Sequence, residues 1–347
     1  MKLLVIGCGS IGKRHLRNLN ALGIDQLVAC DPDPNRLSGL SGQPGVCSLY
    51  QDYTEAFQRH RDVKAALICT PTNLHITPAL FLAQQGVHLF IEKPLSDTWD
   101  GVDELVGIAK SNQIITMMGM CYRFHPGLLR IKALIEGARI GKVYSATEFA
   151  GQYLPDWQPD RDYRGSYTAQ RALGGGVILS SIHSLDYARW LFGEITHIAC
   201  YSGRHSDLAI DVEDMVSFTM SSSRGVLVEI HLDFLQRAKL HRMVVVGERG
   251  TIEWDFMANH MRILEPGKPA ESIGYEFQIN DMYTAELREF LSCVRTGARP
   301  AVDVEEGSRT LRLALTAKSA SQRGSRLPVL VRDNDWIDRG SALRRSA

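Results

Sequence analysis

A glycine-rich turn near the amino terminus constrains the fold more than any other feature of the sequence. Residues 7–12 read Gly-Cys-Gly-Ser-Ile-Gly, between an apolar run at residues 3–6 and the start of a helical pattern. This spacing, placed between a strand and a helix, is typical of the turn that binds a dinucleotide in a Rossmann fold. A glycine-rich turn without a ligand is the alternative, and the strand-to-helix context favours the binding turn.

Each position of this turn has a physical task. Gly7 permits the tight turn, Gly9 lets the backbone approach a pyrophosphate, and Gly12 allows close packing of the helix on the sheet. The helix begins at Ser10 and Ile11, where free N–H groups favour a bound anion. These five residues are therefore predicted to bind the cofactor.

The first third of the chain alternates short apolar runs with helical patterns, which predicts a parallel sheet with helices on both faces. We predict a doubly wound Rossmann domain at residues 1–121. The predicted strands are Leu3–Ile6, Leu27–Cys30, Ala65–Cys69, Val87–Ile91 and Ile114–Met118.

The pattern changes after residue 121. Strand-like segments joined mostly by short turns predict an antiparallel sheet, interrupted by one long helix from Val177 to Phe192. We predict an α+β domain at residues 122–332 and a polar tail at residues 333–347. The predicted strands are Val143–Phe149, Ile195–Ser202, Met215–Met220, Val226–Leu232 and Met243–Val246.

The composition excludes several classes of protein. The 39 basic and 39 acidic side chains balance, so the chain lacks the charge expected of a nucleic-acid binder. The seven cysteines are scattered and form no CxxC pair, so we expect neither a disulfide framework nor a metal site, and a cytoplasmic location. No apolar run is long enough for a membrane helix or a signal peptide.

Asp31 is placed to choose between NAD and NADP. It follows the second predicted strand, nineteen residues after Gly12, where a carboxylate can accept hydrogen bonds from the ribose hydroxyls and repel a 2′-phosphate. The alternative is that Asp31 only begins the turn that contains Pro32 and Pro34. We expect NAD as cofactor, with Arg36 leaving some tolerance of NADP.

Lys93 is the first candidate catalytic residue. It follows a predicted strand in the sequence Glu92-Lys93-Pro94, at the same edge of the sheet as the glycine turn. Burial beside a cationic nicotinamide would lower its pKa and suit it to proton transfer. From position alone, a solvated surface lysine fits equally well.

Five segments together resemble the glucose-fructose oxidoreductase / inositol dehydrogenase / MocA family. They are the glycine turn at 7–12, Cys-Thr-Pro-Thr-Asn-Leu-His at 69–75, Glu-Lys-Pro at 92–94, Tyr-Arg-Phe-His-Pro at 122–126, and three glycines at 174–176 leading to His183 and Asp186. The resemblance implies an open-faced second sheet and assembly as a homodimer or homotetramer. It also implies that Lys93 and His183 carry the proton chemistry, and that the cofactor is contacted by Thr70, Pro71, Asn73, His75, Glu92 and Lys93.

His183 is the second candidate catalytic residue. On the predicted helix it lies with Ser180 and Asp186, away from the apolar stripe. A solvated polar face explains this spacing by itself, whereas the preceding glycines and the resemblance favour a site. Related sequences carry an aspartate three residues before this histidine. Here Ser180 supplies no charge, which leaves three alternatives: Asp186 or Asp162 acts instead, the substrate differs, or Lys93 carries most of the catalysis.

The segment from residue 153 to 167 is rich in aromatic, acidic and arginine side chains. Such mixtures bind sugars, because aromatic faces cover the C–H surface of a ring while charged groups pair with its substituents. An ordered surface loop is the alternative for any single residue. Its texture is weakly similar to relatives involved in bacterial surface-sugar synthesis. The predicted substrate-binding residues are Arg123, Trp157, Tyr163, Arg164, Ser180, His183, Asp186 and Tyr283.

The sequence therefore predicts an NAD-dependent oxidoreductase that transfers a hydride between nicotinamide and a secondary hydroxyl of a sugar, an inositol or a sugar derivative. Two alternatives remain open. One is the elimination or hydrolysis of a glycoside through transient oxidation by bound NAD. The other is a non-catalytic NAD-binding sensor or regulator, against which the presence of both Lys93 and His183 argues.

Overall fold

The computed structural model describes residues 1–329, so the predicted tail at 333–347 lies outside the described residues. Two sheets organise this part of the chain, one of six strands and one of nine. No helix within residues 1–329 is both long and apolar enough to cross a membrane.

The first sheet is parallel throughout, in the order β3-β2-β1-β4-β5-β6, which confirms the predicted Rossmann architecture. Its central strands are buried on both faces, which explains their continuous apolar sequences. The strands are β1 (Lys2–Ile6), β2 (Gln26–Cys30), β3 (Val46–Tyr50), β4 (Ala65–Ile68), β5 (His88–Ile91) and β6 (Thr116–Met118).

β3 was not among the predicted strands, because it lies at the edge of the sheet and its side chains are at most half-buried. It therefore lacks the apolar run that marks a central strand. The helices of this part of the chain are α1 (Ser10–Ala21), α2 (Pro34–Ser38), α3 (Tyr53–Arg59), α4 (Ile76–Gln84) and α5 (Val102–Ser111).

The second sheet is antiparallel except for one parallel pair, β7 with β10, and confirms the predicted fold class. Its order is β14-β13-β12-β11-β7-β10-β9-β8-β15. The strands are β7 (Val143–Gly151), β8 (Ile195–Gly203), β9 (Met215–Ser222), β10 (Leu227–Asp233), β11 (Leu240–Gly247), β12 (Thr251–Asp255), β13 (His260–Leu264), β14 (Glu271–Gly274) and β15 (Leu327–Pro328).

One face of this sheet is buried and the other is exposed. Along β9, Val216, Phe218 and Met220 are buried, whereas Ser217 and Thr219 between them are exposed. This period of two is the pattern of a sheet covered on one side. The remaining helices are α6 (Pro126–Glu136), α7 (Val177–Ser180), α8 (His183–Phe192), α9 (Ile279–Thr296) and α10 (Val304–Arg323).

The prediction of one long helix at 177–192 was wrong, because the chain breaks between α7 and α8. The backbone N–H of Ile182 bonds to Leu179, three residues back, which tightens the turn. The alternative of a solvated polar face is excluded, since almost every side chain of α8 is buried.

α9 and α10 return to the first sheet although they lie late in the sequence. Leu287, Phe290 and Leu291 of α9 share a core with residues of the Rossmann sheet, and the rings of Phe90 and Phe290 are 5.7 Å apart. At the sheet edge, the N–H of Met118 donates to the carbonyl of Val302. The carboxyl-terminal helices therefore complete the first sheet's hydrophobic core.

Candidate active site

The glycine turn lies between β1 and α1, at the carboxyl edge of the parallel sheet. Gly7 has a φ of +91°, and a Cβ there would lie 2.5 Å from the carbonyl oxygen of Cys69. A Cβ on Gly12 would lie 1.9 Å from the carbonyl oxygen of Gly7. Both positions therefore exclude any side chain.

Gly9 serves a different purpose, because no atom lies within 4 Å of the position that its Cβ would take. It precedes Ser10 and Ile11 as the N-cap of α1, where no side chain caps the helix. An open approach and uncapped N–H groups at a helix amino terminus fit the pyrophosphate of NAD.

Asp31 is buried directly after β2 and is tied to the glycine turn. Its Oδ2 accepts a hydrogen bond from the N–H of Cys8 at 2.7 Å, and its Oδ1 accepts one from the N–H of Asp33 at 3.0 Å. Because each carboxylate oxygen has two lone pairs, Oδ1 keeps one for a ribose hydroxyl, whereas Oδ2 also accepts from Arg36. The guanidinium of Arg36 lies 3.5 Å from Oδ2.

The loop after β4 is held by its own side chains. Thr70 donates its hydroxyl to the carbonyl of Leu74, and Asn73 donates its side-chain amide to the carbonyl of Ala172. His75 is buried with its ring nitrogens 2.7 Å from the carbonyl of Pro94 and 2.9 Å from that of Thr70. We had expected His75 to contact the cofactor, but both of its nitrogens face backbone carbonyls, so it joins two loops instead. Pro71 lies in the same loop, between β4 and α4.

Glu92 and Lys93 follow β5 at the edge that carries the glycine turn. Glu92 is buried, and its carboxylate accepts a 2.7 Å hydrogen bond from His15 and a 3.2 Å bond from the N–H of Lys93. Burial opposes ionisation of Glu92, but the bond from His15 and its charge outweigh burial and lower the pKa of Glu92.

The ammonium of Lys93 points toward the second domain and donates to the carbonyl oxygen of Ser180 at 2.8 Å. In a continuous helix that carbonyl would accept the N–H of Ser184. Ser184 instead bonds to Ser181, one residue nearer. The ammonium of Lys93 thus takes the place of the Ser184 N–H at the carbonyl of Ser180. It therefore lies at the turn between α7 and α8.

His183 begins α8 immediately after this break. Its ring packs against Tyr122, with centroids 4.7 Å apart, and its Nδ1 has no hydrogen-bond partner within residues 1–329. Burial lowers the pKa of His183 well below its usual range, and the charges of Lys93 and His241 lower it further. The imidazole is therefore neutral at neutral pH and can accept a proton.

A cavity of about 210 Å³ opens in front of His183. Ser180 and Trp157, two other predicted substrate-binding residues, also line it. Other side chains that line the cavity are Tyr122, Tyr187, Asp233, Lys239 and His241.

A buried polar network in the cavity wall was not predicted from the sequence. Glu148 accepts hydrogen bonds from Ser184, at 2.7 Å, and from Tyr187, and lies 3.2 Å from His241. Glu148 and His241 lie on the buried faces of β7 and β11, among apolar residues. A charged residue at a core-facing position of a strand with alternating polarity was the signal that could have identified them.

Comparison with known proteins identifies the family. A model described as the oxidoreductase family with an NAD-binding Rossmann fold matches residues 1–120, and the GFO/IDH/MocA C-terminal domain model matches residues 128–253. The chain belongs to the GFO/IDH/MocA family. It is an NAD-dependent oxidoreductase, as the sequence predicted.

Relatives and structural neighbours in this family align along almost the whole chain. Myo-inositol 2-dehydrogenase of Thermotoga maritima is 29% identical over 92% of this chain and 96% of its own. The NAD-dependent scyllo-inositol 2-dehydrogenase of Bacillus subtilis is 25% identical, over 95% of this chain and 96% of its own. Levoglucosan dehydrogenase in complex with NADH superposes with a TM-score of 0.86 at 18% identity, covering 95% of this chain and 99% of that one.

A further GFO/IDH/MocA structure has the same fold. The WlbA dehydrogenase of Bordetella pertussis, in complex with NADH and UDP-GlcNAcA, superposes with a TM-score of 0.83 at 21% identity, covering 96% of this chain and 99% of that one.

Arg123 and Asp186, which we had expected to bind substrate, are buried against each other instead. Two hydrogen bonds of 2.8 Å join the guanidinium to the carboxylate, and Thr310 donates a third to Asp186. Since a buried bidentate pair already saturates both groups, Asp186 is not a partner for His183 and neither group faces the substrate. The pair fastens α8 to the turn after β6.

Three other predicted substrate-binding residues lie away from the cavity. The hydroxyl of Tyr163 accepts a hydrogen bond from the N–H of Ala209. Arg164 is exposed and paired with Asp162, so this aspartate is also not a partner for His183. Tyr283 packs against His15 instead, with ring centroids 6.2 Å apart.

One group of potential metal ligands lies behind the Glu92–Lys93 turn. His15, Glu92 and Glu286 are buried, with ligand atoms within 4.8 Å of one another. The direct 2.7 Å bond between His15 and Glu92 already satisfies two of these atoms, which is the geometry of a hydrogen-bonded pair.

Proposed function

We propose that this chain catalyses reversible hydride transfer between NAD and a secondary hydroxyl group of a sugar or inositol. The observation that carries this proposal is the convergence of Lys93 and a neutral His183 at the turn between α7 and α8. Inositol and levoglucosan dehydrogenases among the proteins to which the chain is similar point to the same substrate class.

In the oxidative direction, the carbinol loses a hydride from carbon and a proton from oxygen. NAD, when bound, supplies the hydride acceptor. His183 takes the hydroxyl proton, because its lowered pKa keeps the ring unprotonated before the reaction. The ammonium of Lys93 stabilises negative charge that develops on the substrate oxygen.

Ser180 contributes through its backbone rather than through a charge. Its carbonyl holds the Lys93 ammonium, whereas its side-chain oxygen has no hydrogen-bond partner within residues 1–329. The aspartate common at this position in related sequences would add a negative charge beside His183, and its absence leaves the histidine a weaker base.

The pyrophosphate of NAD is assigned to Gly9 and the start of α1, and the adenosine ribose to Asp31. The nicotinamide ribose is assigned to the loop that contains Thr70 and Asn73. These assignments follow from the open approach at Gly9 and from the common edge of the sheet at which all of these segments end.

The exposed face of the second sheet supports assembly as a homodimer or homotetramer. Tyr201, Leu227, Val244 and Val246 are large apolar side chains on that face, each more than a third exposed. Large apolar side chains exposed on a sheet face are typical of an interface between identical subunits. We place the enzyme in the cytoplasm, because all seven cysteines are free thiols.

A screen of inositols, free sugars, sugar acids and nucleotide sugars for NADH formation tests the function. With the best substrate, Lys93→Ala and His183→Ala should each lower turnover, whereas His197→Ala, at an exposed histidine on β8, should not. NAD binding without turnover on any substrate would instead favour the sensor. Release of an aglycone without net NADH would favour glycoside elimination or hydrolysis.

A further inference from the structure

Of the two carboxylates beside the cavity, the one that lines it is fully engaged. Oδ1 of Asp233 accepts hydrogen bonds from the N–H groups of Leu235, at 2.7 Å, and Gln236, at 2.9 Å. Its Oδ2 accepts bonds from His231, at 3.0 Å, and from the side chain of Gln236. Asp233 is also buried, so it stabilises the turn after β10 and offers no free acceptor to a ligand.

The second carboxylate, Glu148, lies behind the wall. Its Oε1 is occupied by Ser184 and Tyr187, and its Oε2 is sealed from solvent. The nearby His241 is 3.2 Å from Oε1. Neither carboxylate therefore offers a free, accessible acceptor to a ligand in the cavity.

Lys239 is in the opposite condition. It lines the cavity and has neither a hydrogen-bond acceptor nor an ion-pair partner within residues 1–329. The ring of Phe256 lies 5.9 Å from its ammonium. Lys93, by contrast, donates to the carbonyl oxygen of Ser180 and interacts with the charge of Glu92.

Lys239 is exposed overall, yet enough of the protein surrounds its ammonium to lower the pKa of Lys239. A cation that has lost part of its hydration and has no counter-ion gains from binding an anion. Among its lining side chains, the cavity thus presents the ammonium of Lys239 and no carboxylate with a free acceptor.

We propose that Lys239 binds an anionic group of the substrate, so that this enzyme acts on a sugar acid or a sugar phosphate in preference to an uncharged sugar or inositol. The inference rests on the proposed function, because it assumes that the cavity beside His183 holds the substrate. The shared chemistry is a negative charge on the sugar beside Lys239, and the carboxylate and the phosphate are its two sources.

The test compares substrates that differ only in charge. For the sugar configuration that gives most NADH, kcat/KM is measured for the neutral sugar, its uronic acid and its phosphate ester. We expect the wild type to prefer one anionic form, and Lys239→Met to lower the anionic-to-neutral ratio of kcat/KM by about 10- to 100-fold, the value of one charge-assisted hydrogen bond. The acid and the phosphate arms identify which anion is bound.

Two further variants separate charge from structure. Lys239→Arg keeps the charge and should retain most of the preference. Lys142→Met removes an exposed lysine at the start of β7 and should leave the ratio unchanged. Raising the salt concentration should raise KM for the anionic substrate more than KM for the neutral one.

A wild-type enzyme with equal kcat/KM for neutral and anionic forms would overturn the inference while the proposed function stands. An equal loss on both forms in Lys239→Met would also overturn it. If no compound gives NADH, the proposed function fails. Glucuronate and glucose are then titrated into the NAD-loaded protein. Binding of glucuronate that is lost in Lys239→Met supports the inference, and absence of such binding refutes it.

Discussion

Replacing Glu286 with glutamine should remove part of the dependence of stability on pH. Glu286 is fully buried on α9, and neither carboxyl oxygen has a hydrogen-bond partner within residues 1–329. Burial, and then the charge of nearby Glu92, raises the pKa of Glu286 well above its usual range. The folded protein therefore holds Glu286 as a neutral carboxylic acid at neutral pH.

The sign and size of the effect follow from proton linkage. In the unfolded chain a glutamate titrates near pH 4.3, so above this pH unfolding releases the proton that the folded state retains. The contribution of Glu286 to stability is complete below that pH, and it is lost as the pH rises toward the raised pKa of the folded state. The loss is about 1.4 kcal/mol per pH unit, or up to about 2.7 kcal/mol between pH 6 and pH 8.

Glutamine has nearly the shape of the neutral acid and does not titrate. The free energy of unfolding of Glu286→Gln should therefore exceed that of the wild type increasingly from pH 6 to pH 8, as measured by urea unfolding at fixed ionic strength. Glu104→Gln, at an exposed glutamate of α5, is the matched control and should follow the wild type. Parallel curves for Glu286→Gln and wild type would refute the reasoning. So would a metal ion found with the purified protein whose loss accompanies the substitution.

Three other predictions concern the cofactor, the catalytic pair and the assembly. Asp31→Ala should shift the preference for NAD over NADP by on the order of 2 kcal/mol, the worth of a charged hydrogen bond, and unchanged discrimination in cofactor titrations would exclude the assigned role. Lys93→Ala and His183→Ala should each lower turnover by about 10²- to 10⁴-fold, and the double variant should be only slightly worse because the two act as one unit. Near-wild-type turnover of His183→Ala would leave Lys93 to act alone. Sedimentation at micromolar concentration should show an oligomer, and a monomer would contradict the role given to the exposed sheet face.

The parallel sheet and the glycine turn could be predicted because their signals are local. Strand, turn and helix follow one another at residues 3–21, and Gly7 and Gly12 each exclude a side chain through a close backbone contact. The edge strand β3 escaped prediction for the opposite reason, since half-buried side chains leave no apolar pattern.

The rest of the site depends on partners that are distant in sequence. Lys93 binds the carbonyl of Ser180 at the helix break from 87 residues away in the sequence, and no periodicity within the helix indicates that contact. Arg123 and Asp186 looked like ligands for a substrate because charged residues near a glycine-rich segment often are. They lie 63 residues apart and their pairing is decided only when α8 packs on the turn after β6.

The return of α9 and α10 to the first sheet makes the two halves of this protein inseparable by a single cut. A fragment ending near residue 120 would leave the surface around Phe90 without the side chains of Phe290 and Leu291, which complete its core. Exchanging substrate domains between relatives would therefore require two junctions, one before α6 and one before α9, which enclose β7 to β14 and leave β15 with the recipient chain. Substrate specificity can then be altered within these eight strands while both ends of the chain keep the dinucleotide fold intact.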